Sequence, residues 1–269
     1  MKLLICNIAK MNKKFVILTA TYNCEKYLGD WASSIIRQTY RPIDVVLVND
    51  SSKDNTFKVV DKITRKFQKN DIDFEFLNPS KKLYCGGSYA LALRKSRGGT
   101  YFGVLDADDM LEPFACEFVA EIYRKNSKVC WIYTQHNKYN RLMNRVIKKG
   151  FCSHPGDKSM LLAEKRGEQI YSHWRTFSNR FKNQELIFSK LFDRRLRCCV
   201  DKSLGYRLEE NGIGMFVDKV CYRFRRRNKK EQSISFFYPL RKTKKIVIKQ
   251  AEKRRKKGAI VYPIKRYKK

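Results

Sequence analysis

The chain has 269 residues, of which 43% are hydrophobic and 13% aromatic. That is enough for one sizeable core and too apolar for a disordered protein. Its 59 lysines and arginines against 26 acids leave a net charge of +33, so anionic partners have to be considered throughout.

Residues 15–20 form a continuous apolar run, the pattern of a strand buried on both faces. A polar turn follows, Thr21-Tyr22-Asn23. Leu28, Trp31, Ala32, Ile35 and Ile36 then recur at helical spacing, and that helix is expected to stop before Pro42. Residues 45–49 read as a second strand. Ser51-Ser52-Lys53-Asp54 can cap a helix whose apolar face is Val59, Val60, Ile63 and Phe67. A third strand is expected over Asp73–Leu77, then a helix opened by Gly86-Gly87 and ended by Gly98-Gly99. Residues 101–105 make a fourth strand, and Pro113 suits the first turn of a helix running to about Lys125. Residues 129–133 are another strand. Strands and helices alternate, which predicts an α/β fold with a mostly parallel central sheet flanked by helices.

Beyond residue 140 the pattern thins. Residues 142–151 read as a hairpin or an extra strand, 158–169 as a helix, 204–210 as a helix, and 215–217 as a short strand. No run approaches the roughly 18 apolar residues of a membrane-spanning helix. Met1-Lys2-Leu3-Leu4-Ile5-Cys6 meets Lys10, Lys13 and Lys14 too soon for a signal peptide. The nine cysteines include no Cys-x-x-Cys pair, and Cys198-Cys199 are adjacent. Reduced thiols in a cytoplasmic setting are the expectation.

Two hydrophobic runs end in acids. Val45-Val46-Leu47-Val48 leads into Asn49-Asp50, and Tyr101-Phe102-Gly103-Val104-Leu105 leads into Asp106-Ala107-Asp108-Asp109. Open α/β sheets bind ligands outside the carboxyl ends of their strands. Carboxylates at two such ends predict a site for a nucleotide and a divalent metal, because hard cations take oxygen ligands.

These motifs resemble, in order and in spacing, the family 2 glycosyltransferases of the GT-A fold. The resemblance runs through Thr21-Tyr22-Asn23, Ser33-Ser34-Ile35-Ile36-Arg37-Gln38-Thr39-Tyr40, Asn49-Asp50-Ser51-Ser52-Lys53-Asp54-Asn55-Thr56 and Leu105-Asp106-Ala107-Asp108-Asp109. It is dense over residues 14–135 and continues more thinly to Arg225. The resemblance implies a GT-A (Rossmann-like) domain over 12–235, followed by a polybasic C-terminal extension over 236–269. It implies transfer of a hexosyl or N-acetylhexosaminyl group from a UDP- or GDP-type nucleotide-sugar to an acceptor hydroxyl, usually with inversion. The acceptor would be a glycan or a lipid- or protein-linked saccharide.

By the same resemblance Asp108 and Asp109 hold Mn2+ or Mg2+, with Asp106 near the ribose or the metal. Asp50 contacts the nucleoside, and Tyr22 stacks on the base within the Thr21-Tyr22-Asn23 turn. Glu25 either holds the base edge or caps the helix. Asp201, in Val200-Asp201-Lys202-Ser203, takes the position of the base that deprotonates the acceptor. The other readings of Asp201 are a helix cap or an ion-pair partner, and Glu209 and Glu210 are rival acids on the helix surface. In the segment Tyr171-Ser172-His173-Trp174-Arg175, the residues His173 and Trp174 suit a sugar face and Arg175 a diphosphate, or the segment is structural.

Two departures from the family pattern stand out. Asn49 replaces a frequent Asp, and Tyr222-Arg223-Phe224-Arg225-Arg226-Arg227 offers arginines where many members place a metal-binding His. That leaves Arg225 on the phosphates or water in the metal shell. There is no Gln-x-x-Arg-Trp motif of processive synthases. Residues 221–269 carry 20 lysines and arginines and two acids. Such a run seeks an anionic membrane surface, nucleic acid or an acidic polymer, or simply solubilises the chain. Peripheral membrane contact is expected and no obligate nucleic acid. The rival readings are a nucleic-acid-binding protein and a catalytically inactive scaffold.

Overall fold

The computed structural model describes residues 13–268 apart from 97, 151, 157, 169, 171–172 and 229–237. The N-terminal reading of Met1 to Cys6 lies outside the described residues, as do Phe151, Gln169, Tyr171 and Ser172. The elements run β1 (Phe15–Thr21), α1 (Leu28–Ile36), β2 (Ile43–Asn49), α2 (Thr56–Gln68), β3 (Asp73–Leu77), α3 (Tyr84–Lys95), β4 (Tyr101–Val104), β5 (Met110–Leu111) and α4 (Ala115–Lys125). Then come β6 (Trp131–Tyr139), β7 (Val146–Lys148), α5 (Met160–Lys165), β8 (Arg175–Ser178), α6 (Gln184–Leu191), α7 (Val200–Glu209), β9 (Gly214–Arg225), α8 (Leu240–Lys256) and β10 (Ile264–Arg266).

The sheet order is β10-β9-β6-β8-β4-β1-β2-β3, with β5 paired to β9 and β7 to β6. β1 is parallel to both β2 and β4, and β2 to β3. β1, β2 and β4 are largely apolar because both faces are covered. Successive residues of β1 feed opposite sides. Phe15 and Ile17 pack with α1, α2 and α4, while Val16 and Leu18 pack with α3, α5, α7 and α8. Edge strand β3 instead alternates, exposing Asp73 and Glu75 and turning Phe74 and Phe76 to the core.

The second half of the sheet departs from the sequence reading. β8 is antiparallel to both β4 and β6 and lies between them. β9 is twelve residues long rather than three. Its apolar pattern breaks at exposed Asp218 and Lys219, where its register with β6 shifts. Residues 137–148 form an antiparallel arm, with Lys138 opposite Lys148 and Tyr139 opposite Val146.

Of the basic segment expected as an extension over 236–269, the described elements pack against the domain. α8 buries Val247 and Ala251 in the core. β10 adds a parallel strand beside β9, with Ile264 opposite Gly214. Glu209 and Glu210, expected on the helix surface, are buried and pair with Arg255 and Arg254 of α8. Among the described residues no helix is long and apolar enough to cross a membrane. The eight cysteines among them are all free.

If α8 is docked in this way, Val247→Ala should cost roughly 1–3 kcal/mol of stability by lost packing. Exposed Lys249→Ala should stay within about 0.5 kcal/mol. Urea unfolding of both variants measures the contrast, and equal, negligible losses would mean that α8 is not part of the core.

Candidate active site

The carboxyl ends of β1, β2 and β4 open on one cleft of about 1450 Å3. Thr21 and Tyr22 line it after β1, Asp50 after β2, and Asp106, Asp108 and Asp109 after β4. His173, at the entrance to β8, and Asp201, in the first turn of α7, complete the wall.

Asp50 is 2% exposed, and its Oδ1 accepts hydrogen bonds from the backbone N–H groups of Leu83 (2.6 Å) and Tyr84 (3.0 Å). The carboxylate thereby fixes the turn into α3. Its Oδ2 has no hydrogen-bond partner among the described residues, and Lys82 Nζ lies 3.9 Å away. The same ammonium sits 3.5 Å from the Tyr22 ring centroid. Thr21 Oγ1 is buried and likewise without a hydrogen bond among the described residues. Buried polar atoms left in that state invite a ligand.

Asn23, in the turn given to the nucleotide, and Glu25, read as holding the base edge or capping the helix, are turned away from the cleft. Asn23 Oδ1 accepts from Lys53 N at 2.8 Å, and Glu25 Oε2 from Asn55 N at 2.7 Å. Asp54 Oδ2 in return accepts from Glu25 N at 2.9 Å. These side chains lace the 21–25 turn to the loop before α2 and do not line the cleft.

The acidic loop is held from three sides. Tyr89 donates to Asp106 Oδ1 at 2.7 Å, and Tyr222 donates to Asp109 Oδ2 at 2.7 Å. Arg227 Nε pairs with Asp108 Oδ2 at 2.5 Å. Burial, together with the neighbouring Asp108 and Asp106 charges, pushes Asp109 well above the usual carboxylate range. Burial also works upward on Asp106, but the His173 imidazole and the Tyr89 hydroxyl hold it below its ordinary value. Burial and like charges close by favour the protonated form of Asp109, and a positive partner favours the ionised one.

Asp106, Asp109 and His173 bring one ligand atom each to within 4.8 Å of one another. Two carboxylate oxygens and an imidazole are a fitting donor set for a divalent ion. The expected pair was Asp108 and Asp109. Asp108 is committed to Arg227, and His173 joins the group instead, its Nδ1 3.9 Å from Asp106 Oδ2. The His173 ring stacks on Phe224 with centroids 4.2 Å apart and meets His136 edge-on at 4.9 Å.

The neighbours of His173 take other roles than expected. Trp174 is 0% exposed and stacks on Phe15 in the core, so it has no face for a sugar. Arg175 is 1% exposed in β8 and forms the floor of the cleft, beside Gly205. Arg225, a candidate for phosphate contact, is 3% exposed and spends its side chain on Asp108 O, Arg141 O and Asp30. The sequence signal for His173 was only a His beside a Trp; no local pattern marked it as a companion of the acids.

Asp201 makes no hydrogen bond or ion pair with the described residues. Its helix is positioned by a close backbone approach. Gly86 N donates to Leu196 O at 2.9 Å, and a Cβ at Gly86 would lie 2.1 Å from Asp193 O. Only glycine allows α3 to seat the loop that delivers Asp201.

Residues 16–193 match the model of the family described as Glycosyl transferase family 2. A chondroitin synthase of Escherichia coli is 28% identical over 206 residues, covering 77% of this chain and 28% of that protein. A hyaluronan synthase of Pasteurella multocida is 26% identical over 206 residues, covering 77% of this chain and 20% of that protein. The chain thus spans under a third of the length of these relatives. Among solved structures, S. aureus TarS 1-349 in complex with UDP-GlcNAc superposes with a TM-score of 0.64 at 16% identity, covering 84% of this chain and 62% of that one. Mannosyltransferase PcManGT from Pyrobaculum calidifontis, in complex with GDP-Man and Mn2+, gives 0.54 at 16% identity, covering 78% and 56%. Both share the fold.

His136, behind the centre, is fully buried with Nδ1 3.1 Å from Cys152 Sγ. Burial, aided by His173, Arg175 and the nearby lysines, lowers its pKa to about 3. An unfolded histidine titrates near 6.5. Between those values the unfolded chain holds a proton that the folded chain lacks, so stability is complete above about pH 6.5 and is lost as pH falls. The slope contributed is up to about 1.4 kcal/mol per pH unit. Denaturant unfolding at pH 7, 6 and 5 should show this slope in the wild type and its loss in His136→Gln. Parallel curves would place the proton on His136 within the fold.

Proposed function

We propose, from the premise that this chain belongs to glycosyl transferase family 2, that it moves a sugar from a nucleotide-diphosphate-sugar to an acceptor hydroxyl with inversion. One observation carries the reading: Asp106, Asp109 and His173 converge in the same cleft that holds Asp50 and an unengaged Asp201. The partial matches to synthases and the nucleotide complexes of the fold neighbours support a UDP- or GDP-type donor and a saccharide acceptor, free, lipid-linked or protein-linked.

In this reading Asp50 Oδ2 and Tyr22 receive the nucleoside. Asp106, Asp109 and His173 hold Mn2+ or Mg2+, which supplies Lewis-acid neutralisation of the leaving diphosphate. Asp201 takes the proton from the acceptor hydroxyl as its oxygen attacks the anomeric carbon. The new carbon–oxygen bond forms on the face opposite the diphosphate, and the bond to the diphosphate breaks with its electron pair. The nucleoside diphosphate leaves and the configuration inverts. An unpaired carboxylate in a cleft suits a base that must stay ionised until the acceptor arrives.

We also propose a peripheral position on an anionic membrane face at the cytoplasmic side. Lys242, Lys245, Lys249, Lys253 and Lys256 recur on the exposed side of α8, with Ile246 43% exposed among them. Each such lysine contributes about 1 kcal/mol near an anionic bilayer.

Two measurements test these readings. With a nucleotide-sugar panel, chelation should abolish donor turnover and Mn2+ or Mg2+ restore it. Asp201→Asn should keep donor binding and lose about 100-fold or more in turnover, whereas Asp109→Asn should lose metal-dependent donor binding. No donor bound or turned over with either ion would end the transferase reading. Flotation with anionic vesicles at low salt should carry the protein and fail at high salt; no flotation at low salt ends the membrane reading.

A further inference from the structure

One wall of the cleft is cationic and bears no acid of its own. Between Glu121 and Asp157 the chain has no acidic residue at all. The β6–β7 arm lies in that stretch, and its Lys138, Arg141 and Arg145 line the cleft. Arg226 joins them from beyond β9, because its backbone N–H bonds Tyr139 O at 2.9 Å. Arg145 and Arg226 are exposed, and their side chains make no hydrogen bond or ion pair with the described residues. The acids lining the cleft are Asp50, Asp106, Asp108, Asp109 and Asp201, all at the nucleoside, cation and base positions.

The rim lies close to the proposed reacting centre. Lys138 Nζ is 5.6 Å from the Phe224 ring centroid, and that ring stacks on His173. One aromatic ring therefore separates the first rim cation from the candidate metal ligands. Leu142, 66% exposed, and Ile147, 37% exposed, line the same wall. An apolar ledge set among cations fits a pyranose ring, whose C–H face is apolar and whose edge carries an anion.

From this juxtaposition we infer that the arm and the end of β9 form an acceptor subsite for an anionic saccharide, one bearing carboxylates or phosphates. The inference rests on the transferase reading above. The donor's diphosphate is met at the Asp106–Asp109–His173 centre, which leaves the Arg145 and Arg226 guanidinia for a second anion. A nucleic-acid groove would set exposed aromatics among its cations for base stacking; here the exposed apolar residues of the arm are Leu142 and Ile147.

The test is calorimetric binding by the full chain of three hexasaccharides: an oligouronate, a phosphate-bearing glucan and a neutral glucan. At least one anionic probe should bind about tenfold more tightly than the neutral one, and which of them does identifies the anion. Arg145→Ala/Arg226→Ala should erase most of that difference, while leaving UDP or GDP binding with Mn2+ unchanged. Equal binding of all three probes overturns the inference, as does a preference that survives the double variant. Equal competition by a short single-stranded DNA would also overturn it, since the rim would then be a general anion surface. Donor binding and turnover with Mn2+ or Mg2+ separate the two levels. A donor bound with no anionic preference among the saccharides rejects the subsite alone; no donor bound or turned over with either ion rejects the transferase reading and the rim's acceptor role with it.

Discussion

The cleft depends on a buried guanidinium. Arg225 is 3% exposed, and a charge at that depth is tolerated only when its donors are matched. Its backbone N–H reaches Asp109 Oδ1 at 2.7 Å, its Nε reaches Asp108 O at 2.6 Å, and its terminal nitrogens reach Asp30 on α1 and Arg141 O on the arm. One side chain thus joins the acidic loop, the first helix, the arm and the longest strand. The loop needs that clamp. Asp106, Asp108 and Asp109 repel one another, and burial together with that repulsion raises the pKa of Asp109. Arg225, Arg227, Tyr89 and Tyr222 each hold the loop, so the carboxylates stay together.

What the sequence made legible follows from local chemistry. Apolar runs covered on both faces mark β1, β2 and β4, and acids at the carboxyl ends of two of them mark Asp50 and Asp106. What it hid depends on pairing between distant segments. β8 is four residues long and reads as a polar loop, yet it separates β4 from β6. That insertion sends Trp174 into the core and leaves His173 at the cleft, so adjacent residues with the same apparent promise have opposite fates. Asn23 and Glu25 were legible as turn residues, but not which way they would face. Their partners, Lys53 and Asn55, lie about thirty positions along the chain.

The positive charge divides in a way that composition alone conceals. Arg254 and Arg255 look like part of a solvated basic run, but they pair with buried Glu210 and Glu209 and hold α8 against α7. Glu164 similarly gathers Lys202, Lys244 and the Tyr206 hydroxyl. Burial works upward on Glu164, and these donors hold its pKa below the ordinary value. Lys242, Lys245, Lys249, Lys253 and Lys256 face outward on α8, and Arg145 and Arg226 stand exposed at the cleft. Net charge predicted that anions matter; burial decides which cations meet them.

The same distinction resolves the missing histidine. Family 2 members often place it shortly after the Tyr-Arg pair, where this chain has Phe224 and three arginines. A cation site is defined by where donor atoms converge and not by chain order. Phe224 provides a flat surface, and the His173 ring lies on it with planes 19° apart. Its backbone neighbour Trp174 is fully buried against Phe15, and its ring is bounded by Phe224, Tyr222 and His136. The imidazole is therefore fixed at both ends, by the core behind it and by aromatic rings around it. Such support is what a metal ligand needs to be ready before the ion arrives. The segment leading into β8 thus brings an imidazole to the two carboxylates, at a cleft where the end of β9 offers arginines.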